Sequence, residues 1–178
     1  MKIISFLGSP KKQGNTAMLL NKVLEGIHSK HDEQNEIVFL QEKSIKPCTE
    51  CNCCQEDDKP QCVIDDDMQE IYKKVNEADL IITASPIYWW GVTAQTKLLI
   101  DRMYGFHGNL KNKKAVLLLT YGGELPNSGP ETAESNYKEI CEYLNIKNAG
   151  VFGVCTGKTE VFANSKALDE AYKFGQSI

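Results

Sequence analysis

The chain has 178 residues and a net charge of −4 at pH 7, long enough for one domain, spanning 1–178, to bury a core without staples. The acidic balance argues against a nucleic-acid partner, whose phosphates attract a basic face. No apolar run approaches the length of a membrane span, so no membrane partner is expected.

The first predicted strand is IISFL at 3–7, which stops at Gly8 and is too short for a signal peptide. With an odd cysteine count, seven, this points to a reducing cytoplasm and not to a disulfide framework. The loop that follows, GSPKKQGNT at 8–16, is neither a Rossmann G-x-G-x-x-G nor a Walker A loop. It is a turn feeding a helix N-terminus, with hydroxyls at Ser9 and Thr16 and an amide at Asn15. Backbone N–H groups and the positive end of the helix dipole suit one phosphate there. The plainer alternative is a capped loop with solvated lysines. Leu20, Val23, Leu24 and Ile27 then form a helical stripe.

A second strand, EIVFL at 36–40, leads into a loop at 46–64 that holds five of the seven cysteines. Cys48, Cys51, Cys54 and Cys62 make C-x2-C-x2-C-x7-C, with Cys53 left over. The C-x2-C-x2-C run is the ligating run of 4Fe–4S ferredoxins. Zinc fits less well, because structural zinc sites separate two knuckles more widely. A thiol–disulfide relay through Cys51 and Cys54 needs a lowered thiol pKa, which Glu50, Glu56, Asp57 and Asp58 would oppose. Free thiols and a cluster both stay open.

Asp67 with Glu70 predicts a capping box, opening a helix with a stripe of Met68, Ile71, Tyr72 and Val75. The third strand, LIITA at 80–84, runs into SPIYWWGVTAQTKLLIDR at 85–102. Pro86 stiffens the exit, Gly91 offers a close backbone approach, and Tyr88, Trp89 and Trp90 cannot all be buried. Exposed aromatics of this kind stack on a flat ring or form a dimer interface. Ala94, Leu98 and Met103 predict a third helix. A fourth strand, AVLLLT at 115–120, ends in TYGGE, a glycine wall at 120–124. Ala133, Tyr137, Ile140, Cys141 and Leu144 mark a fourth helix, and VFGVC at 151–155 a fifth strand. A fifth helix at 165–174 is expected to stop at Gly175. Cys141 and Cys155 read as core; His28, His31 and His107 read as surface.

Five βα units predict a doubly wound α/β fold, with five parallel strands in a three-layer sandwich. Ligands of such sheets sit beyond the strand carboxyl ends, in the loops after strands one, three and four. A monophosphate pocket, an aromatic wall and a glycine wall together fit flavin mononucleotide, FMN.

GSPKKQGNT, SPIYWWGVTAQTKLLIDR, TYGGE and CVIDDDMQEI, in that order, resemble the NADPH-dependent FMN reductase family of flavodoxin-like proteins. The cysteine motif resembles the iron–sulfur flavoprotein branch of the same fold. The resemblance implies FMN, NAD(P)H as donor, a homodimer or higher homo-oligomer, and an acceptor such as a quinone, nitro compound, metal or free flavin. Carried over residue by residue, Ser9, Lys11, Asn15 and Thr16 would hold the phosphate. Pro86, Ile87, Tyr88, Trp89 and Gly91 would line the flavin, with Thr120, Tyr121, Gly122 and Gly123 opposite. A 4Fe–4S cluster, if present, would use Cys48, Cys51, Cys54 and Cys62. Lys11 stands where many relatives have arginine, and Asp101 with Arg102 reads as structural or interfacial. No general acid or base is required, because the flavin carries the hydride chemistry.

Overall fold

In the computed structural model, which describes residues 1–30, 34–56, 62–107 and 109–178, the apolar runs become a twisted parallel sheet. Its strands are β1 (Lys2–Leu7), β2 (Gln34–Phe39), β3 (Leu80–Tyr88), β5 (Lys114–Tyr121) and β6 (Lys147–Cys155), in spatial order β2-β1-β3-β5-β6. A sixth strand, β4 (Gly91–Val92), has two residues and folds back antiparallel on the end of β3. The three central strands are buried on both faces, as their continuous apolar runs predict. The edge strands β2 and β6 are half-exposed, which the same reading of their sequence overstated.

Alternation along each strand sends side chains to two separate cores. Ile4, Phe6, Ile81 and Leu117 pack under α2 (Met68–Glu77), α3 (Ala94–Met103) and α4 (Ser128–Tyr143). Ile3, Leu7, Ile82 and Leu118 pack under α1 (Asn15–His28) and α5 (Ser165–Gln176). This is the three-layer α/β sandwich expected.

Three local expectations are corrected. Asp67 makes no side-chain cap on α2; its carboxylate accepts the Ser44 N–H at 2.7 Å instead. The first-turn N–H of Met68 is held by Asp66. Gly175 does not stop α5 but lies inside it. A Cβ there would sit 2.1 Å from the Val23 carbonyl of α1, and one on Gly26 would sit 2.1 Å from the Tyr172 carbonyl of α5. The two glycines let α1 and α5 pack backbone to backbone. On α3 the buried face is Thr96, Leu99, Arg102 and Met103, whereas Ala94 is exposed and Leu98 half-buried. The polar members hid that phase.

Candidate functional site

The loops after β1, β3 and β5 lie together at the carboxyl edge of the sheet, because adjacent parallel strands end at one edge. The loop at 8–16, where a phosphate is expected, is fixed from below. Gly8 donates its N–H to the Ala84 carbonyl at 2.8 Å, and its own carbonyl accepts the Thr93 hydroxyl at 2.7 Å. A Cβ on Gly8 would fall 1.8 Å from Thr96 Oγ1, so only glycine lets the loop sit this close to α3. Buried Ser9 accepts the Lys11 N–H at 3.1 Å, which leaves its own proton to donate.

Helix α1 begins at Gly14, which supplies no side-chain cap. The first intrahelical bond runs from Met18 to Gly14, so the N–H groups of Asn15, Thr16 and Ala17 point out of the helix end. An anion suits that end. The hydroxyl of Thr16 is buried and meets that of Thr120 at 2.7 Å. Asn15 also makes a structural tie. Its side-chain oxygen accepts the Val161 N–H at 2.9 Å, tying α1 to the β6–α5 connection.

The aromatic segment is a two-residue hairpin: Tyr88 pairs with Gly91, and Trp89 and Trp90 form the turn. Both tryptophans have positive φ, 49° and 65°. Hairpin turns of this kind favour asparagine and glycine, and an L side chain in this region costs about 1–2 kcal/mol. The strained positions are therefore the tryptophans, and Gly91 is not the special one. A Cβ on Gly91, or on Gly122 opposite, would meet no protein atom within 4 Å, so both sides are open. Trp89 is 91 % exposed and stands edge-to-face with Trp90 at 5.4 Å. Pro86 is buried and Ile87 half-buried. On the far wall Tyr121 sends its ring into the core, and burial raises its pKa. Gly122 and Gly123 are exposed. Cys155 packs at the margin of the core: it is half-exposed and its thiol donates to the Gly122 carbonyl at 3.7 Å.

An uncapped helix end, buried hydroxyls and two open glycine positions fit a flat ring carrying a phosphate. The sequence missed what joins the three loops: Thr93 and Thr96 to the phosphate loop, and Thr120 to Thr16. Short threonine patterns carry no signal for contacts so far apart in the chain.

The cysteine loop behaves differently. Cys48 and Cys51 are exposed, Cys53 and Cys62 half-buried, Cys54 buried, and none is in a disulfide. Cys51 faces Cys53, not Cys54. The Cys53 thiol donates to the Cys51 carbonyl at 3.7 Å, and the neighbouring Cys53 backbone and side chain, with Thr49, lower the Cys51 pKa, against the expectation from its acidic neighbours. Cys53 moves up, chiefly through the Cys51 side chain, with Glu56 contributing. Among the described residues no three His, Cys, Asp or Glu side chains gather as a metal site. The described sulfurs therefore do not fit a cluster as they stand. Asp57, Asp58 and His31 lie outside the described residues; His28 and His107 are exposed, as expected. A groove of about 910 Å³ between α3 and α4 is lined in part by Cys48, Trp90, Gly91, Tyr104 and Tyr143.

No helix among the described residues is long and apolar enough to cross a membrane. The NADPH-dependent FMN reductase family matches residues 1–157. An iron–sulfur flavoprotein of Methanocaldococcus jannaschii is 41% identical over 136 residues, 74% of this chain and 67% of that one. One of Archaeoglobus fulgidus is 34% identical over 183 residues, covering 100% of this chain and 79% of that one. Among solved structures, the NAD(P)H:quinone oxidoreductase of Methanothermobacter marburgensis superposes with a TM-score of 0.74 at 20% identity. That match covers 99% of this chain and 96% of the other.

Proposed function

As a member of the NADPH-dependent FMN reductase family, the chain is an FMN-dependent oxidoreductase, and we propose that it passes electrons from NAD(P)H to a small flat acceptor by a ping-pong mechanism. The observation that carries this is the meeting of three loops at one sheet edge, with an uncapped helix end beside two open glycine positions. FMN supplies the hydride acceptance and redelivery when bound.

The chain's own residues bind and orient. The N–H groups of Asn15, Thr16 and Ala17, with the Ser9 and Thr16 hydroxyls, hold the phosphate; exposed Lys11 adds a screened charge. Pro86, Ile87, Tyr88, Trp89 and Gly91 form one wall, and Thr120 to Gly123 the other. Donor and acceptor then take turns at one opening, and the acceptor is of the quinone, nitro, metal or flavin class. The reading includes a homodimer or higher homo-oligomer in a cytoplasmic setting.

Anaerobic mixing with NADPH tests the donor step, and bleaching of the flavin absorbance is expected. Steady-state rates at varied NADPH and quinone should give parallel double-reciprocal lines. Intersecting lines would replace the ping-pong order with a ternary complex.

A second reading is an electron carrier with a 4Fe–4S cluster on Cys48, Cys51, Cys54 and Cys62. The names of the archaeal relatives and the C-x2-C-x2-C-x7-C spacing favour it. Against it, no three potential ligands gather among the described residues. An iron assay and visible spectrum after anaerobic purification decide between the two: iron with a flavin that NADPH leaves unbleached supports the carrier.

A further inference from the structure

Arg102 is the only arginine in the chain, and it is buried far along α3 from the phosphate loop. Its side chain and that of Asp66 are each 1% exposed, and the two pair at 2.6 Å. The same Nη1 donates to the Lys46 carbonyl at 2.9 Å. Nη2 donates to the second Asp66 oxygen and to the Cys62 sulfur, both at 3.3 Å. Asp66 in turn accepts the backbone N–H groups of Lys46 at 2.8 Å and Met68 at 3.0 Å. The Tyr72 hydroxyl donates to the Arg102 carbonyl at 2.6 Å.

Burying two charges is costly, and apolar residues of the same volume often stabilise a core as well. Stability alone is therefore a poor reason for this pair. What apolar residues could not do is bind both ends of the cysteine segment at once. The planar fork of a guanidinium suits that task, since its donors reach a carboxylate, a carbonyl and a sulfur in one plane. A lysine ammonium is a point charge and cannot hold three such partners in fixed directions.

We propose that Arg102 is the positioning residue of the cysteine segment. Charge-balanced by Asp66, it fastens Lys46 and Cys62 to the end of α3 and so sets the place of one sulfur. Cys62 packs against the core, while Cys48 and Cys51 remain exposed. The role holds whether Cys62 works as a thiol or as a ligand, and it does not rest on the flavin reading.

The test is a time course of iodoacetamide alkylation on the reduced, FMN-containing full chain, with each cysteine mapped by mass spectrometry. In the unmodified protein Cys62, held half-buried against the core, should label clearly more slowly than exposed Cys48. Arg102→Lys should bring Cys62 towards the Cys48 rate while Cys141, buried in the core, stays protected. Asp66→Asn should do the same in part. The proposal is overturned if Cys62 already labels as fast as Cys48, or if Arg102→Lys leaves its rate unchanged. It is equally overturned if Cys62 and Cys141 speed up together, which would mean general loosening. Should Arg102→Lys fail to fold, the unmodified protein and Asp66→Asn decide the matter. An unmodified chain that holds no FMN yet keeps Cys62 protected counts against the flavin-site reading alone.

Discussion

The hydroxyls of Thr16 and Thr120 meet at 2.7 Å in the protein interior, joining the first turn of α1 to the end of β5. Removing one partner leaves a buried hydroxyl unpaired, at a cost of about 1–3 kcal/mol. Removing both is close to neutral by the same argument. Thr16→Val and Thr120→Val should therefore each lower Tm, and the double variant should be no worse than either alone. Thermal denaturation of the apo chain measures this. Additive losses would show that the two hydroxyls act independently.

Gly8→Ala places a methyl group 1.8 Å from Thr96 Oγ1 and 3.3 Å from the Ala84 carbonyl. Overpacking of this kind costs about 1–3 kcal/mol, and the strain falls on the loop assigned to the phosphate. Weaker FMN binding by fluorescence titration is expected. Thr96→Ala added to Gly8→Ala should recover part of the affinity, because it removes the nearer clash.

Thr16→Ala should weaken FMN by about tenfold to a hundredfold and riboflavin, which lacks the phosphate, much less. Lys11→Ala should do less than Thr16→Ala and fade with added salt, since an exposed lysine is screened. Titrations of both flavins at two salt concentrations check the assignment. Equal losses for the two flavins would move the phosphate site to another loop.

Asp66 is pushed up by burial, but the Arg102 guanidinium and the N–H groups of Lys46 and Met68 outweigh that and hold it below 3.8. The unfolded chain therefore takes up this proton at a higher pH than the folded one. The resulting stability is fully present above the unfolded value and is lost as pH falls through the depressed folded value. Denaturant midpoints measured below about pH 4 should fall less steeply with acid in Asp66→Asn than in the unmodified chain.

Trp89 holds a left-handed backbone while 91% exposed, so little packing rewards the strain. Asparagine tolerates that region better, and Trp89→Asn should gain about 1 kcal/mol, or roughly 2–4 °C in Tm. Turnover of aromatic acceptors should drop in the same variant, because the stacking face is gone. A rise in Tm with unchanged turnover would assign Trp89 to another surface.

Local sequence determined most of the layout of this protein. Continuous apolar runs at β1, β3 and β5 specify buried parallel strands, because both faces of each must be covered. Helical stripes such as Leu20 to Ile27 supply the cover. Strand ends then collect the three loops at one edge, so the loops that line the proposed flavin site were legible as motifs. Tertiary structure alone decided which side chains serve within them. Thr16 meets Thr120, Asn15 turns to Val161, and Thr93 reaches Gly8, all pairings between residues remote in the chain. The same holds for Gly175, whose sequence reading as a stop gave way to the close approach of α1. It holds most of all for Arg102. A lone arginine after an aspartate gives no sign of its partners, because Asp66, Lys46 and Cys62 come to it only when α2 and α3 pack. Periodicity records which face is buried, and nothing in it records which polar groups will meet there.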